Sequence, residues 1–551
     1  MTTELGSSPQ REATPTLPLS SIPQKRALED GRHSPVVPSP LNPEVKISDS
    51  LTPEDAAQNA RSKSARTKKD TLKKREAKGG ESARATPDPK PKSKPQNKQS
   101  ESSPLRYKLG PPKLSDFDPP RGPVMTAHHE VTITNGQTVE FFEASDHVSN
   151  KKSFRYTHCI ADPLFPSMIY YRGTEPEPYG PHMSFEDSAG HVYFDKSARQ
   201  VTTDKGFRMA RANVAVREGR WYWECKITQG VRPPKDGESK PEGGKHVRMG
   251  WARREASLDA PVGFDAYSYG LRDVAGEKVH MSRPKDFFPA GEGIREGDVI
   301  GLEIQLPSEH LHRKIMSGQY NPVVDQADEG PGPTAEGHNI VRDRVPIRFK
   351  AHTYFEKIEY FPTKELEDLM NPTGAGGGLL EEPGPNHPIP SLRTLPNSCI
   401  RVYKNGVLMG TPFENLLGFL PPASRPQTQV GAREGLDDGM LGYYPAVSVF
   451  RGGAVEVNFG PDFWYPPPAG VVEDGPDLIR TNNAHSNKVH PVSERYSDQI
   501  AEDIIYDIID EVDFWSQDGG GATDRQGVND KSEAVAMAPG REEIKEVVQD
   551  D

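Results

Sequence analysis

A chain of 551 residues with only 33% hydrophobic residues, 54 prolines and 50 glycines cannot bury a core along its whole length. Its net charge of −12 is unevenly spread: roughly +8 falls within residues 1–110 and roughly −12 beyond Ser493, so the two ends suit different partners. No apolar run is long enough to span a membrane, no N-terminal stretch has the build of a secretion signal, and Cys159, Cys225 and Cys399 are too few and scattered for a disulfide framework or a cysteine-rich zinc module. Buried free thiols in a reducing compartment are the expectation for them.

Residues 1–110, rich in Pro, Ser and Lys and almost without aromatics, read as a disordered basic tail. Within it, 61–78 is dense in Lys and Arg, the pattern of a nuclear import signal or a weak nucleic-acid contact. Ordered structure is expected from 111. Val131–Gly136, Met168–Arg172 and His191–Phe194 read as strands or edges. The stretch GRWYWECKI at 219–227 alternates rings with polar residues, so Trp221, Trp223, Cys225 and Ile227 share one face and Tyr222, Glu224 and Lys226 the other. Val247–Trp251 is a second strand, with Arg248 set between apolar neighbours. A strand at 298–306 follows the turn Arg295–Glu296–Gly297, and another spans 350–361. Insertions are expected near 307–345, 362–395 and 421–440; the second holds a glycine run at 374–378 that reads as a linker. Asn405–Gly406 between two apolar runs predicts a type I′ hairpin. Tyr444–Phe450 and Ala454–Gly460 are expected to form a closing pair around Arg451–Gly452–Gly453. Many short strands with turn signals between them define an all-β antiparallel sandwich over 111–470.

A linker at 471–492 leads to a change of period. Ile500, Ile504, Ile508 and Val512 recur every four residues, with Ile505 and Ile509 beside them, on an amphipathic helix over 493–515. Ser493 is a capping candidate and the glycines at 519–521 a stop. The helix is too short and acidic to be stable alone. Lying in another protein's groove suits its place past a linker better than folding back on the sandwich, and its acids are expected to stay solvated. Residues 516–551 read as a disordered acidic tail.

Arg248, if not in an internal salt bridge, must meet an anion or reach the rim, and Arg272 could join it there; two guanidiniums without fixed acidic partners would make a pocket for an acidic peptide or phosphate. His158 near Cys159 and His182 near His191 lack zinc spacing. No nucleophile elbow, P-loop or HExxH motif occurs, and nothing in the sequence brings the strand carboxylates Glu224 and Glu303 together as a glycosidase pair would require. No catalytic residue, cofactor or metal is expected.

GRWYWECKI, HVRMGW, APVGFDAYSYGLRD, EGDVIGLEIQLP, YKNGV and YPAVSVF…VEVNFGPDFWYPP, in this order, resemble the SPRY domain of the Ash-2/Bre-2 subunit of COMPASS-type histone methyltransferase complexes, over roughly residues 125–515 with the insertions removed. The resemblance implies a SPRY (concanavalin-like) sandwich in a nuclear, non-enzymatic scaffold of a fungal-type member. Such a scaffold joins a SET-domain methyltransferase through a WD-repeat subunit and promotes histone H3 lysine-4 methylation. It further implies a pocket for that subunit's acidic segment at Phe207, Arg248, Pro261 and Arg272, with Phe207 standing where the family usually has tyrosine. EDIIYDIIDEVD resembles the family's helix for a Dpy-30-type dimer. A nucleosome contact through the basic tail is a further expectation. The competing reading, a SPRY substrate adaptor for ubiquitin ligation, would need a cullin-box or RING segment, and neither is present.

Overall fold

The computed structural model describes residues 112–516 apart from 134–135, 151–153, 165–170, 233–243, 326–339, 341, 343–344, 351, 372–380, 427–436 and 468–487, together with the strand Glu546–Val547. The readings of the basic tail, its 61–78 run, the 374–378 glycines, most of the 471–492 linker, the 519–521 stop and the acidic tail other than Ser516 and Glu546–Val547 lie outside these residues. Of the 168–172 stretch, the strand Tyr171–Gly173 is described.

Two sheets carry the core, antiparallel except where His490–Pro491 pairs parallel to Gly219–Gln229. The first runs in the order Val124–Thr132, Thr138–Ser145, Tyr193–Phe194, Gln200–Thr202, Ala454–Asn458, Gly219–Gln229, Val299–Leu306, Cys399–Lys404, Val407–Glu414. The second runs Arg283–Lys285, Glu277–His280, Ser268–Arg272, His246–Ala252, Tyr444–Phe450, Arg208–Ala212, Met183–Ser188. The period-two pattern explains how they pack. Trp223, Cys225 and Ile227 of the first sheet meet Val247, Met249 and Trp251 of the second, and Trp223 lies edge-to-face with Trp251 at 6.3 Å. Burying each such side chain stabilises the fold by about 1.5–3 kcal/mol. All three cysteines are buried and unpaired.

Asn405 and Gly406 have φ of 49° and 82°, and Lys404 pairs with Val407, as a two-residue I′ turn requires. The closing strands behave differently from expectation. Tyr444–Phe450 and Ala454–Asn458 do not pair; they belong to different sheets, and the chain crosses the end of the core through Arg451 and Gly452, whose φ are 47° and 84°. A hairpin would have set their valines on one side of the core. The crossing lets Val447 and Val449 meet Val455 and Val457 from opposite sides.

The stretch expected as an insertion at 307–345 contains a helix, Glu309–Met316, capped by Ser308, whose Oγ accepts from Leu311 N at 3.2 Å. Its Leu311, Ile315 and Met316 join the main core. In 362–395 the helix Lys364–Met370 buries Leu366 against Met209, Ala252 and Ala446 on the outer face of the second sheet. A third sheet, which includes Val345–Phe349, His352–Ile358, Phe154–Ala161 and Tyr171–Gly173, is joined to the sandwich by buried ion pairs.

His312 on the Glu309–Met316 helix is fully buried and accepts from the amides of Phe419 and Leu420 at 3.2 and 3.4 Å. Burial, aided by Arg217, Arg253 and Arg313 against Glu309, pushes its pKa down to about 3. A base with a depressed folded pKa stabilises fully above its unfolded value and loses that stability as pH falls. The unfolding free energy should therefore decline below about pH 6.5, by up to about 1.4 kcal/mol per unit from this residue. Denaturant melts from pH 7 to pH 5 check this: His312→Gln should flatten the curve in that window, and an unchanged slope would count against a neutral buried His312.

Candidate peptide-binding site

The strand His246–Ala252 turns its even-numbered residues away from the core. Register places Arg248 opposite Arg272 on one side and Ser448 on the other. Like charges directly opposite across strands repel, so the pair needs compensation. Arg272 finds it in Glu277, its own cross-strand neighbour, with Nη1 to Oε2 at 2.9 Å. The expectation that both guanidiniums lack fixed acids is thus corrected for Arg272. Arg248 has no ion pair among the described residues, and its Nε is buried without a hydrogen-bond partner. Its guanidinium lies over the Phe207 ring, 4.9 Å from the centroid. Burial and the neighbouring Arg272 lower the Arg248 pKa, while Asp273 and Glu277 oppose them; an arginine stays charged regardless.

Pro261 reaches the same face through its loop. Val262 N donates to Ser448 Oγ at 3.0 Å and Gly263 N to Ser268 Oγ at 2.9 Å, which lays the loop across the sheet. That approach requires glycine beneath it: a Cβ on Gly270 would sit 2.6 Å from Val262 O. Phe207, Arg248, Pro261 and Arg272, drawn from four separate segments, therefore share one surface. Sequence reasoning missed Phe450, which packs against Phe207 with ring centroids 4.7 Å apart. Its parity with Ala446 and Ser448 along the strand was the available signal.

Glu224 and Glu303 also share a face, because register sets Gly301 opposite Glu224 and Tyr222 opposite Glu303. Glu224 accepts the amides of Trp464 and Tyr465, both at 2.7 Å, and Glu303 accepts from Arg220, Arg401 and Tyr403 at 2.7–2.9 Å. These contacts hold the fold together. His158 is likewise engaged, with Nε2 2.7 Å from Glu186.

The C-terminal helix runs Val492–Ser516. Its start is anchored by the domain: Val492 lies in the main core, and Ser493 N donates to Phe459 O at 2.9 Å. Gln499 brackets the backbone of Asn213 and Ala215 with two bonds of 3.0 Å, and Arg495 donates to Ala215 O at 3.2 Å. Further along, Asp503 pairs with buried Arg342 at 2.6 Å and Asp507 is itself buried. The expectation of solvated acids fails for Asp503 and Asp507, because Arg342 and Lys357 of the domain lie close enough to attract both. Burial first, and then Arg342, bring the Lys357 pKa down to about 8 against the pull of Asp438, Asp503 and Asp507. With Asp503 and Asp507 turned toward the domain, Ile500, Ile504, Ile505, Ile508 and Ile509 are left 38–51% exposed. The Val512 side chain is outside the described residues.

Fold and site together define an all-β sandwich that carries two opposed arginines beside an aromatic pair on one outer face and an apolar helix stripe near its C-terminal end. No protein-family model matches the chain. It is 60% identical over 559 residues to "COMPASS component cclA" of Colletotrichum higginsianum, covering 97% of each chain, and 38% identical to "Set1 complex component ash2" of Schizosaccharomyces pombe, covering 75% of this chain and 52% of that one. A human SPRY-domain crystal structure matches 50% of this chain and 98% of its own at 13% identity, with a TM-score of 0.23. The chain belongs to the Ash-2/Bre-2 family of COMPASS components.

Proposed function

We propose that this chain is a non-catalytic scaffold subunit of a COMPASS-type complex, acting in the nucleus to promote histone H3 lysine-4 methylation. Phe207, Arg248, Pro261 and Arg272 receive an acidic segment of a WD-repeat subunit. The isoleucine stripe receives a Dpy-30-type dimer, and the assembly supports a SET-domain methyltransferase. The basic tail adds a weak nucleosome contact. The observation that carries the peptide reading is Arg248, a half-buried guanidinium with an unpartnered Nε and no ion pair among the described residues. A carboxylate entering beside it would pair with that guanidinium and offset the repulsion from Arg272. Phe207 contributes a ring face that holds the guanidinium, a role that needs no hydroxyl.

Calorimetry with an acidic segment of the WD-repeat subunit tests the reading. Arg248→Ala should cost about 1.5–3 kcal/mol of binding free energy. Arg272→Ala should cost less, about 1 kcal/mol, because its guanidinium is already paired with Glu277. Affinity should fall as salt rises. Wild-type affinity in a folded Arg248→Ala chain would remove the support for this pocket.

A further inference from the structure

The pocket is one end of a longer cationic stack. Arg248 lies over Phe207 at 4.9 Å, Phe207 packs on Phe450 at 4.7 Å, and the guanidinium of Arg451 lies over Phe450 at 5.0 Å. Arg451 is exposed and has no ion pair among the described residues. Its backbone is also held by the fold. It sits at the crossing between the two sheets in a left-handed conformation, and its amide donates to Lys205 O at 2.8 Å.

Resting on the reading above, we propose that Arg451 is a second anchor for the acidic partner segment, with Phe207 and Phe450 as the spacer between the two cationic ends. The three stacking distances limit the separation of the guanidiniums to about 15 Å. An extended peptide advances about 3.3 Å per residue, so the segment recognised carries two acidic clusters no more than about four residues apart. The apolar face between them suits a small or aliphatic side chain. Charge complementarity favours this occupant, since each end presents a guanidinium able to grip a carboxylate with two parallel bonds.

The probes are two synthetic peptides of equal length, titrated into the full chain. One carries two Glu-Glu pairs separated by three Gly/Ser residues, and the other carries a single pair. Arg451→Ala should weaken the two-pair peptide about fivefold, as expected for an exposed charge contact, and leave the single-pair peptide unchanged. Arg248→Ala should weaken both. If Arg451→Ala spares the two-pair peptide while Arg248→Ala weakens both, the second anchor is wrong and the pocket stands. If Arg451→Ala weakens both peptides equally, it acts through the general field and the anchor is again wrong. If neither substitution matters in a folded chain, the pocket falls with it.

Discussion

Ile508→Asp should abolish capture of a Dpy-30-type dimer while leaving the thermal melt of the free chain nearly unchanged. The two halves of this expectation come from the same geometry. The helix is fixed to the sandwich through Val492, Gln499 and the Asp503–Arg342 pair, and Ile508 points away from that contact with 38% of its surface exposed. In the free chain the new carboxylate stays in water, and substitutions of this kind usually change stability by no more than about 0.5 kcal/mol. In a groove, the same carboxylate would be desolvated without a partner, at a cost of several kcal/mol. A loss of at least about 100-fold in affinity follows. Pull-down and calorimetry with the purified dimer read the binding, and a melting curve reads the fold. Retained binding would mean that the exposed isoleucines serve some other contact.

Asp187→Ala should destabilise the chain by about 3–5 kcal/mol, the range for breaking a buried ion pair from one side. Asp187 is fully buried on the strand Met183–Ser188. It accepts from Arg211 Nη2 at 2.7 Å and Nε at 2.9 Å, and from Arg155 Nη1 at 3.3 Å. Burial alone would raise its pKa, yet the two guanidiniums hold it well below the usual carboxylate range. Removing it leaves Arg211, only 2% exposed, with backbone carbonyls alone, and Arg155 without its ion pair. Because Arg155 lies on the strand Phe154–Ala161, the third sheet should loosen first, which hydrogen exchange on those amides would register. A melt within about 1 kcal/mol of wild type, with unchanged exchange, would show that this ion pair contributes little net stability.

The legible parts of the fold were those written in local pattern. Alternation at 219–227 gave the strand and its core face, and Asn405–Gly406 gave a turn. Arg248 stood out because a charge between apolar neighbours conflicts with a simple core strand. What stayed hidden depended on pairings across long sequence separations. Arg217 reaches Glu309 and Asp437, and Arg254 reaches Glu359 and Asp438, separations that no local pattern encodes. The same limit hid Glu277 as the Arg272 partner, since the strand register decides it. The helix at 309–316 was less hidden: Leu311 and Ile315 are four apart behind a serine cap, but Pro- and Gly-rich surroundings masked that short period. The orientation of the C-terminal helix could not be read from its amphipathic pattern alone. The pattern fixes which residues share a face, and the domain's contacts with Val492, Arg495, Gln499 and Asp503 decide which face turns inward.

The most direct measurement is a methylation assay with purified components. A SET-domain methyltransferase, its WD-repeat partners, a Dpy-30-type dimer and histone H3 would be combined with and without this chain. The chain alone should show no activity, its addition should clearly raise H3 lysine-4 methylation, and the Arg248→Ala chain should lose most of that rise. Equal rates with and without the chain would contradict the scaffold role.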